Sequence, residues 1–258
     1  MSFRDLHFMD EPLLLPNAWD LGSAIAFVAA GFPAVGTTSF GVNASIGRPD
    51  GDGASREATA ALVRRLRELP VYVSADIEDG YSDDPAEVAA LVAELGPDGV
   101  NVEDSAGGRL VDPEIPAAKI RAIKQATPDV FVNARVDSYW FHEDDTVPAV
   151  VARAEVYAEA GADGIFLPGA TDPTTLERLT AAIPLPVNVL VVPGLTLTDL
   201  KNLGVRRVST GSLPYRAAID AAVDVAAAVR DGREVPAATS YAASQRRLLD
   251  FAQGADTE

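Results

Sequence analysis

Eight short β-rich runs, each followed by a longer Ala/Leu/Val-rich segment of helical period, predict an α/β protein folded as a (β/α)8 TIM barrel. Two further observations favour this class. No composition break marks a linker within the 258 residues, so one domain is expected over 1–258. The β-rich runs are continuously apolar, as expected of parallel strands covered by helices.

The runs fall in order along the chain. "PLLLPN" (12–17) comes first, then a helix near 20–30 and "AVGTTS" (34–39). A helix over 55–68 leads to "VYVSAD" (71–76), and one over 85–95 leads to "GVNVED" (99–104). In "DPAEVAALVAEL", Asp84 suits an N-cap, Pro85 the first helical position and Glu87 the third. A helix over 114–126 precedes "VFVNAR" (130–135), and one over 146–160 precedes "GIFLPG" (164–169). Asp172 and Pro173 open a helix over 173–182, followed by "PVNVLV" (186–191), a helix over 196–203 and "RRVSTG" (206–211). Helices near 214–230 and 240–251 form a C-terminal extension over about 214–251 that packs on the barrel or on a partner subunit. The tail "FAQGADTE" is expected to fray.

Composition excludes several function classes. The net charge of -17, from 38 acidic and 21 basic residues, disfavours nucleic acid and anionic membrane, whose phosphates are met by Lys and Arg. No apolar run is long enough to cross a bilayer and no basic-plus-apolar leader is present, so a soluble cytoplasmic protein is expected. Cysteine is absent, which removes disulfides and thiolate chemistry. The only histidines, His7 and His142, cannot build a His-rich metal site.

Barrels of this class place their active centre at the C-terminal ends of the strands. Those ends carry Asn17, Thr38, Ser39, Asp76, Glu78, Glu103, Asp104, Asn133, Arg135 and Asn188. Asp76 and Glu78, two apart on extended chain, can point to one side, and Glu103 ends the next strand. A hard divalent cation relieves their repulsion, and Mg2+ accepts one or two carboxylates with waters and substrate oxygens. Direct ligation is expected from Asp76, and contact through water from Glu78 and Glu103. Arg135 offers a rigid fork to an anionic substrate, or an ion pair to Asp137 or Glu103. The segment 36–55 reads as a Gly-rich loop whose N–H groups near Thr38–Gly41 could hold an oxyanion. "STGS" (209–212) resembles an anion-holding turn, though helix capping is the better explanation of it. Neither a P-loop nor a GxGxxG dinucleotide motif is present.

Taken in order, "NAWD" (17–20), "TTSFGVNASIGRPD" (37–50), "SADIEDGY" (74–81), "GVNVEDS" (99–105), "VNARVDSY" (132–139) and "GADGIFLPG" (161–169) resemble the isocitrate lyase and phosphoenolpyruvate mutase superfamily. The resemblance covers residues 12–230. It implies a Mg2+-dependent enzyme, with Mn2+ as the substitute ion, that handles small 2-oxo or 2-hydroxy carboxylates through an enolate. It assigns Asp76 as the direct metal ligand, with Glu78, Glu103 and Asp50 around the metal. It assigns Thr38, Ser39 and Phe40 to the substrate's carboxylate or enolate oxygen, and Arg135 to the group being cleaved or transferred. A homo-oligomer, dimer or tetramer, is implied as well.

Departures from the family pattern limit the substrate. The stretch "EDSAGGRLVDPE" (103–114) lacks the cysteine and histidine of the lyase loop, and "VLVVPG" (189–194) lacks the acidic "TEFG" that follows the asparagine in lyases. Arg109, in that Gly-rich loop, and Asn188 become candidates for substrate binding. The reading is a carbon–carbon lyase acting through a metal-stabilised enolate. The alternatives are a C–P bond hydrolase or mutase acting on phosphonopyruvate, and a non-catalytic 2-oxo acid binder.

Overall fold

The computed structural model describes residues 1–51 and 53–255; residue 52 and residues 256–258, the end of the tail expected to fray, lie outside them. The first elements are β1 (Leu13–Leu15), β2 (Asn17–Ala18), α1 (Leu21–Ala29), β3 (Ala34–Thr37), α2 (Ser39–Ser45) and α3 (Arg56–Leu66). There follow β4 (Tyr72–Asp76), α4 (Pro85–Leu95), β5 (Gly99–Glu103), β6 (Ser105–Ala106), β7 (Arg109–Leu110), α5 (Glu114–Ala126) and β8 (Phe131–Arg135). Then come α6 (Ser138–Phe141), α7 (Val147–Glu159), β9 (Gly164–Phe166), α8 (Pro173–Ala182) and β10 (Val187–Leu190). The chain continues through α9 (Leu197–Asn202), β11 (Arg207–Ser209), α10 (Leu213–Arg230) and α11 (Tyr241–Ala255).

One parallel sheet runs in the order β1-β11-β10-β9-β8-β5-β4-β3-β2. Its two outermost pieces are consecutive in the chain, separated only by Pro16. Leu15 O accepts the Thr210 N–H at 3.1 Å, and Pro16 O accepts the Gly36 N–H at 2.8 Å. The chain thus hands its pairing from β11 to β3 at a residue that has no N–H to donate. The nine pieces are therefore the eight strands of a closed barrel, as the sequence predicts.

The strands divide by face. Ala75, Val100, Val102, Val132, Ala134, Ile165, Val189 and Val208 form one core with Val88, Val92, Ile120, Ile123, Leu176 and Leu179 of the helices. The expectation of uniformly apolar strands fails on the inner face, which carries Ser74, Asp76, Asn101, Asn133, Asn188, Arg207 and Ser209, all buried. Side chains on a strand alternate in direction, so a run that looks apolar can still present every second residue to a polar interior. Phe131 closes the lower end, where the His7 ring stacks on it at 3.9 Å and Phe3 packs edge-on at 5.8 Å. Burial pushes the His7 pKa down to about 3, so this ring is neutral at ordinary pH.

Helix starts follow the expected chemistry with one difference. Asp84 accepts the Ala86 N–H at 2.9 Å and Asp172 the Thr175 N–H at 2.8 Å. Glu87 does not complete a capping box; its carboxylate accepts from the Ser82 hydroxyl at 2.7 Å. The segment read as a loop after β3 begins with α2, because the Thr38 side chain caps it by accepting the Gly41 N–H at 3.4 Å. A Cβ at Gly41 would lie 2.8 Å from Thr38 and 2.9 Å from Trp19, so only glycine fits there. The 103–114 stretch contains a small antiparallel hairpin, β6 with β7. Ala228 is the one buried residue of α10, and α11 lies against α1. No helix among the described residues is long and apolar enough to cross a membrane.

Candidate active site

The upper mouth of the barrel encloses a cavity lined on one side by Thr38, Ser39, Asp50, Asp76, Asn101 and Arg135. Apolar Phe40, Trp140, Phe166, Pro168 and Leu190 also line it, together with Asn17, Ser209, Gly211 and Ser212. A second cleft of about 390 Å3 adjoins it, between Glu78, Tyr81, Asp83 and the β6–β7 hairpin, with Glu103 on its wall.

Asp76 ends β4 and is 8% exposed. Its Oδ2 accepts the Ser39 N–H at 3.1 Å, while its Oδ1 is buried with no hydrogen-bond partner. Burial raises its pKa, against the opposing pull of the Arg135 charge. A buried carboxylate oxygen without a donor is costly, and a bound cation is the natural partner for it. The residues present therefore fit a divalent ion ligated directly by Asp76. Among the described residues no group of three or more Asp, Glu or His side chains is placed to hold a metal ion, so Asp76 would be the one direct protein ligand. Mg2+, which retains several waters, suits such an open site.

Glu78 sits just past the strand in left-handed backbone, φ 51°. Its carboxylate accepts from the Ser55 hydroxyl and from the Gly53 N–H at 3.2 Å, and Ser55 bonds Tyr81 at 2.8 Å. Glu78 thus clamps the segment that carries Asp50 over the barrel mouth. Burial raises its pKa too. Asp79 is neutralised from below by buried Lys119, whose ammonium donates to the Asp79 carbonyl at 2.7 Å. Of the five carboxylates between residues 74 and 84, only Asp76 lines the central cavity.

Arg135 ends β8 and meets both of its predicted partners. Nη1 pairs with Glu103, and Nε donates to Asp137 at 2.6 Å. Trp140 and Phe166 flank the guanidinium at 5.9 Å and 5.7 Å. With Nε and Nη1 engaged, Nη2 is the nitrogen left to meet a ligand. Burial opposes the Arg135 charge, but Glu103 and Asp137 hold it, and its pKa is raised. Burial also lifts the Glu103 pKa well above the ordinary carboxylate range. The Arg135–Glu103 pair stands between the two cavities.

Other candidates lie differently. Asp104 is fully buried in a structural network with Arg153 at 3.0 Å and Tyr157 at 2.9 Å. Asn188 is buried beneath the cavity and donates to Ser209 at 3.1 Å. Arg109 has a side chain 80% exposed, paired with Glu143 at 3.7 Å, and lines neither cavity. In "STGS", the Gly211 N–H donates to Asn17 at 2.9 Å, and the Ser212 side chain does not cap α10. His142 is exposed beside Asp145. Sequence reasoning passed over the apolar wall of Trp140 and Phe166, the Ser55–Tyr81 clamp and Arg207. Only Arg207 left a signal: a charged residue at the start of the last strand run.

Fold and site together define a class: a (β/α)8 barrel with a partly unsatisfied carboxylate facing a clamped arginine at the strand ends. Residues 3–230 match the family model for phosphoenolpyruvate phosphomutase. The chain belongs to that family, within the isocitrate lyase and PEP mutase superfamily. It is 55% identical over 251 residues to an uncharacterized protein of Mycobacterium tuberculosis, covering 97% of each chain. It is 32% identical over 224 residues to the 2-methylisocitrate lyase of Halalkalibacterium halodurans, covering 80% of this chain and 73% of that one. An oxaloacetate decarboxylase of Rhodopseudomonas palustris is 31% identical over 232 residues, covering 83% and 77%. Among solved structures, a 2,3-dimethylmalate lyase superposes with TM-score 0.85 at 25% identity, covering 98% and 95%. A phosphonopyruvate hydrolase bound to oxalate and Mg2+ shares the fold, with TM-score 0.84 at 24% identity and coverage of 98% and 95%.

Proposed function

We propose that the protein is a Mg2+-dependent carbon–carbon lyase acting on a small 2-oxo or 2-hydroxy carboxylate, with cleavage passing through an enolate. One observation carries the reading: Asp76, whose buried Oδ1 has no hydrogen-bond partner, and Arg135 line the same cavity. Asp76 would hold the ion directly, with Glu78, Glu103 and Asp50 reaching it through water. When bound, Mg2+ supplies Lewis-acid stabilisation of the negative charge that grows on the substrate as the bond breaks.

The remaining work falls to the chain. Thr38, Ser39 and Phe40, at the start of α2, orient the substrate's carboxylate or enolate oxygen beside Asp76. Arg135, held rigid by Glu103 and Asp137, offers one nitrogen to the departing portion. Buried Phe166, with the more exposed Phe40 and Trp140, gives the reacting face an apolar wall. Ser105, the hydroxyl nearest the start of the loop, donates to Asp137 at 2.6 Å and is not free to serve as an acid in place of the missing thiol.

The relatives named 2-methylisocitrate lyase and oxaloacetate decarboxylase favour C–C over C–P chemistry. A panel of 2-oxo, 2-hydroxy and phosphono acids, incubated with Mg2+ and followed by proton and phosphorus NMR, tests this. Turnover of a carboxylate that EDTA abolishes is expected. Turnover of phosphonopyruvate alone would move the assignment to C–P cleavage, and binding without turnover would make the protein a 2-oxo acid binder.

A further inference from the structure

Beneath the cavity lies a charge that the proposed chemistry does not use. Arg207 is 1% exposed, at the start of β11, and reaches across the barrel interior. Its Nη2 donates to Asn101 Oδ1 on β5 at 3.3 Å and approaches the Ser74 hydroxyl on β4 at 3.5 Å. Its Nε donates to Ser209 Oγ at 3.1 Å, and its Nη1 is buried with no partner at all. No ion pair joins Arg207 to a carboxylate among the described residues. Burial lowers its pKa to about 9, leaving it charged at neutral pH, with Asp76 the neighbour that supports the charge.

An enclosed guanidinium held by neutral acceptors, with one nitrogen idle, is expensive. A well-packed apolar side chain would serve stability better. Of the three groups that Arg207 engages, Asn101 and Ser209 line the cavity above. Each is tied onward, Asn101 to Asn133 at 2.9 Å and Ser209 to Asn188 at 3.1 Å. The guanidinium is thus the centre of the polar layer on which the cavity floor rests.

We propose that Arg207 is a positioning residue that fixes Asn101 and Ser209 from below and supplies a buried positive charge favouring an anionic ligand, at the expense of stability. The inference rests on the reading of the cavity as a carboxylate site. Its test pairs thermal unfolding of the ligand-free protein with calorimetric titration of oxalate into Mg2+-loaded wild type, Arg207→Met and Arg207→Lys.

Arg207→Met is expected to keep or raise Tm while weakening oxalate by about tenfold or more, equivalent to about 1.4 kcal/mol. Arg207→Lys, which keeps the charge without the fork, is expected to fold and to lose about threefold to tenfold. Unchanged oxalate affinity in either variant overturns the proposal. So does affinity lost only in step with a lower Tm in both, which marks a purely structural residue. Wild type that binds neither Mg2+ nor oxalate contradicts the proposed function itself, and this inference falls with it.

Discussion

The Arg135 guanidinium donates through Nε to Asp137 at 2.6 Å while Nη1 holds Glu103, so one arginine is pinned on two edges by acidic residues of its own strand end and the neighbouring strand. Asp137 is itself fixed by Ser105 at 2.6 Å and by Asp104, which accepts its N–H at 2.8 Å. Such a clamp sets the direction of the remaining nitrogen toward the cavity.

A lysine cannot reproduce that fork. Arg135→Lys is expected to lower oxalate affinity in the presence of Mg2+ by about ten- to a hundredfold, with the fold retained. Isothermal titration calorimetry with circular dichroism on the same sample measures both. Wild-type affinity in the lysine variant would mean that Arg135 serves only its ion pairs.

Neighbouring carboxylates in "VEDS" separate by role. Asp104, buried against Arg153 and Tyr157, faces away from both cavities. Asp104→Ala strands the Arg153 charge and is expected to cost about 3–5 kcal/mol of stability. Urea unfolding reads that loss, and oxalate affinity below the transition is expected to fall by less than it does in Arg135→Lys, because Asp104 touches the arginine only through Asp137. A stable variant that no longer binds oxalate would reverse the assignment.

Proton competition gives the site a pH signature. Burial raises the pKa values of Asp76, Glu78 and Glu103. A carboxyl group raised by folding contributes stability that is full below its unfolded pKa, about 4, and is lost as pH climbs through its folded value. In the metal-free protein these groups therefore oppose folding increasingly above about pH 4. A cation that binds their ionised forms relieves the penalty where it is largest. The rise in Tm on adding Mg2+ is expected to be greater at about pH 8 than at about pH 5.5. Scanning fluorimetry at both values decides it, and a greater rise at the lower pH contradicts it.

Much of this architecture is legible from residue order, because periodicity, caps and strand-end polarity are local properties. All eight predicted strands appear, and Asp84 and Asp172 cap as their positions imply. The misses are long-range. Glu78 belongs to a clamp with Ser55, 23 residues away, and Arg207 meets Asn101 across 106 residues. Neither partnership leaves a local pattern. The α2 helix is hidden by Gly41, a residue type that usually weakens helices but here allows close packing against Trp19. The clash between carboxylates at 74–84 resolves by separate local partners: Ser39 for Asp76, Ser55 for Glu78, Lys119 for Asp79 and a helix start for Asp84.

The free Oδ1 of Asp76 is the feature on which the proposed chemistry stands. Calorimetric titration of Mg2+ and then oxalate into wild type and Asp76→Asn tests it most directly. Oxalate is expected to bind wild type only with Mg2+ present, and Asp76→Asn should weaken that binding by about a hundredfold, near 2.8 kcal/mol. Equal Mg2+-dependent binding by the two proteins, both folded, would contradict it.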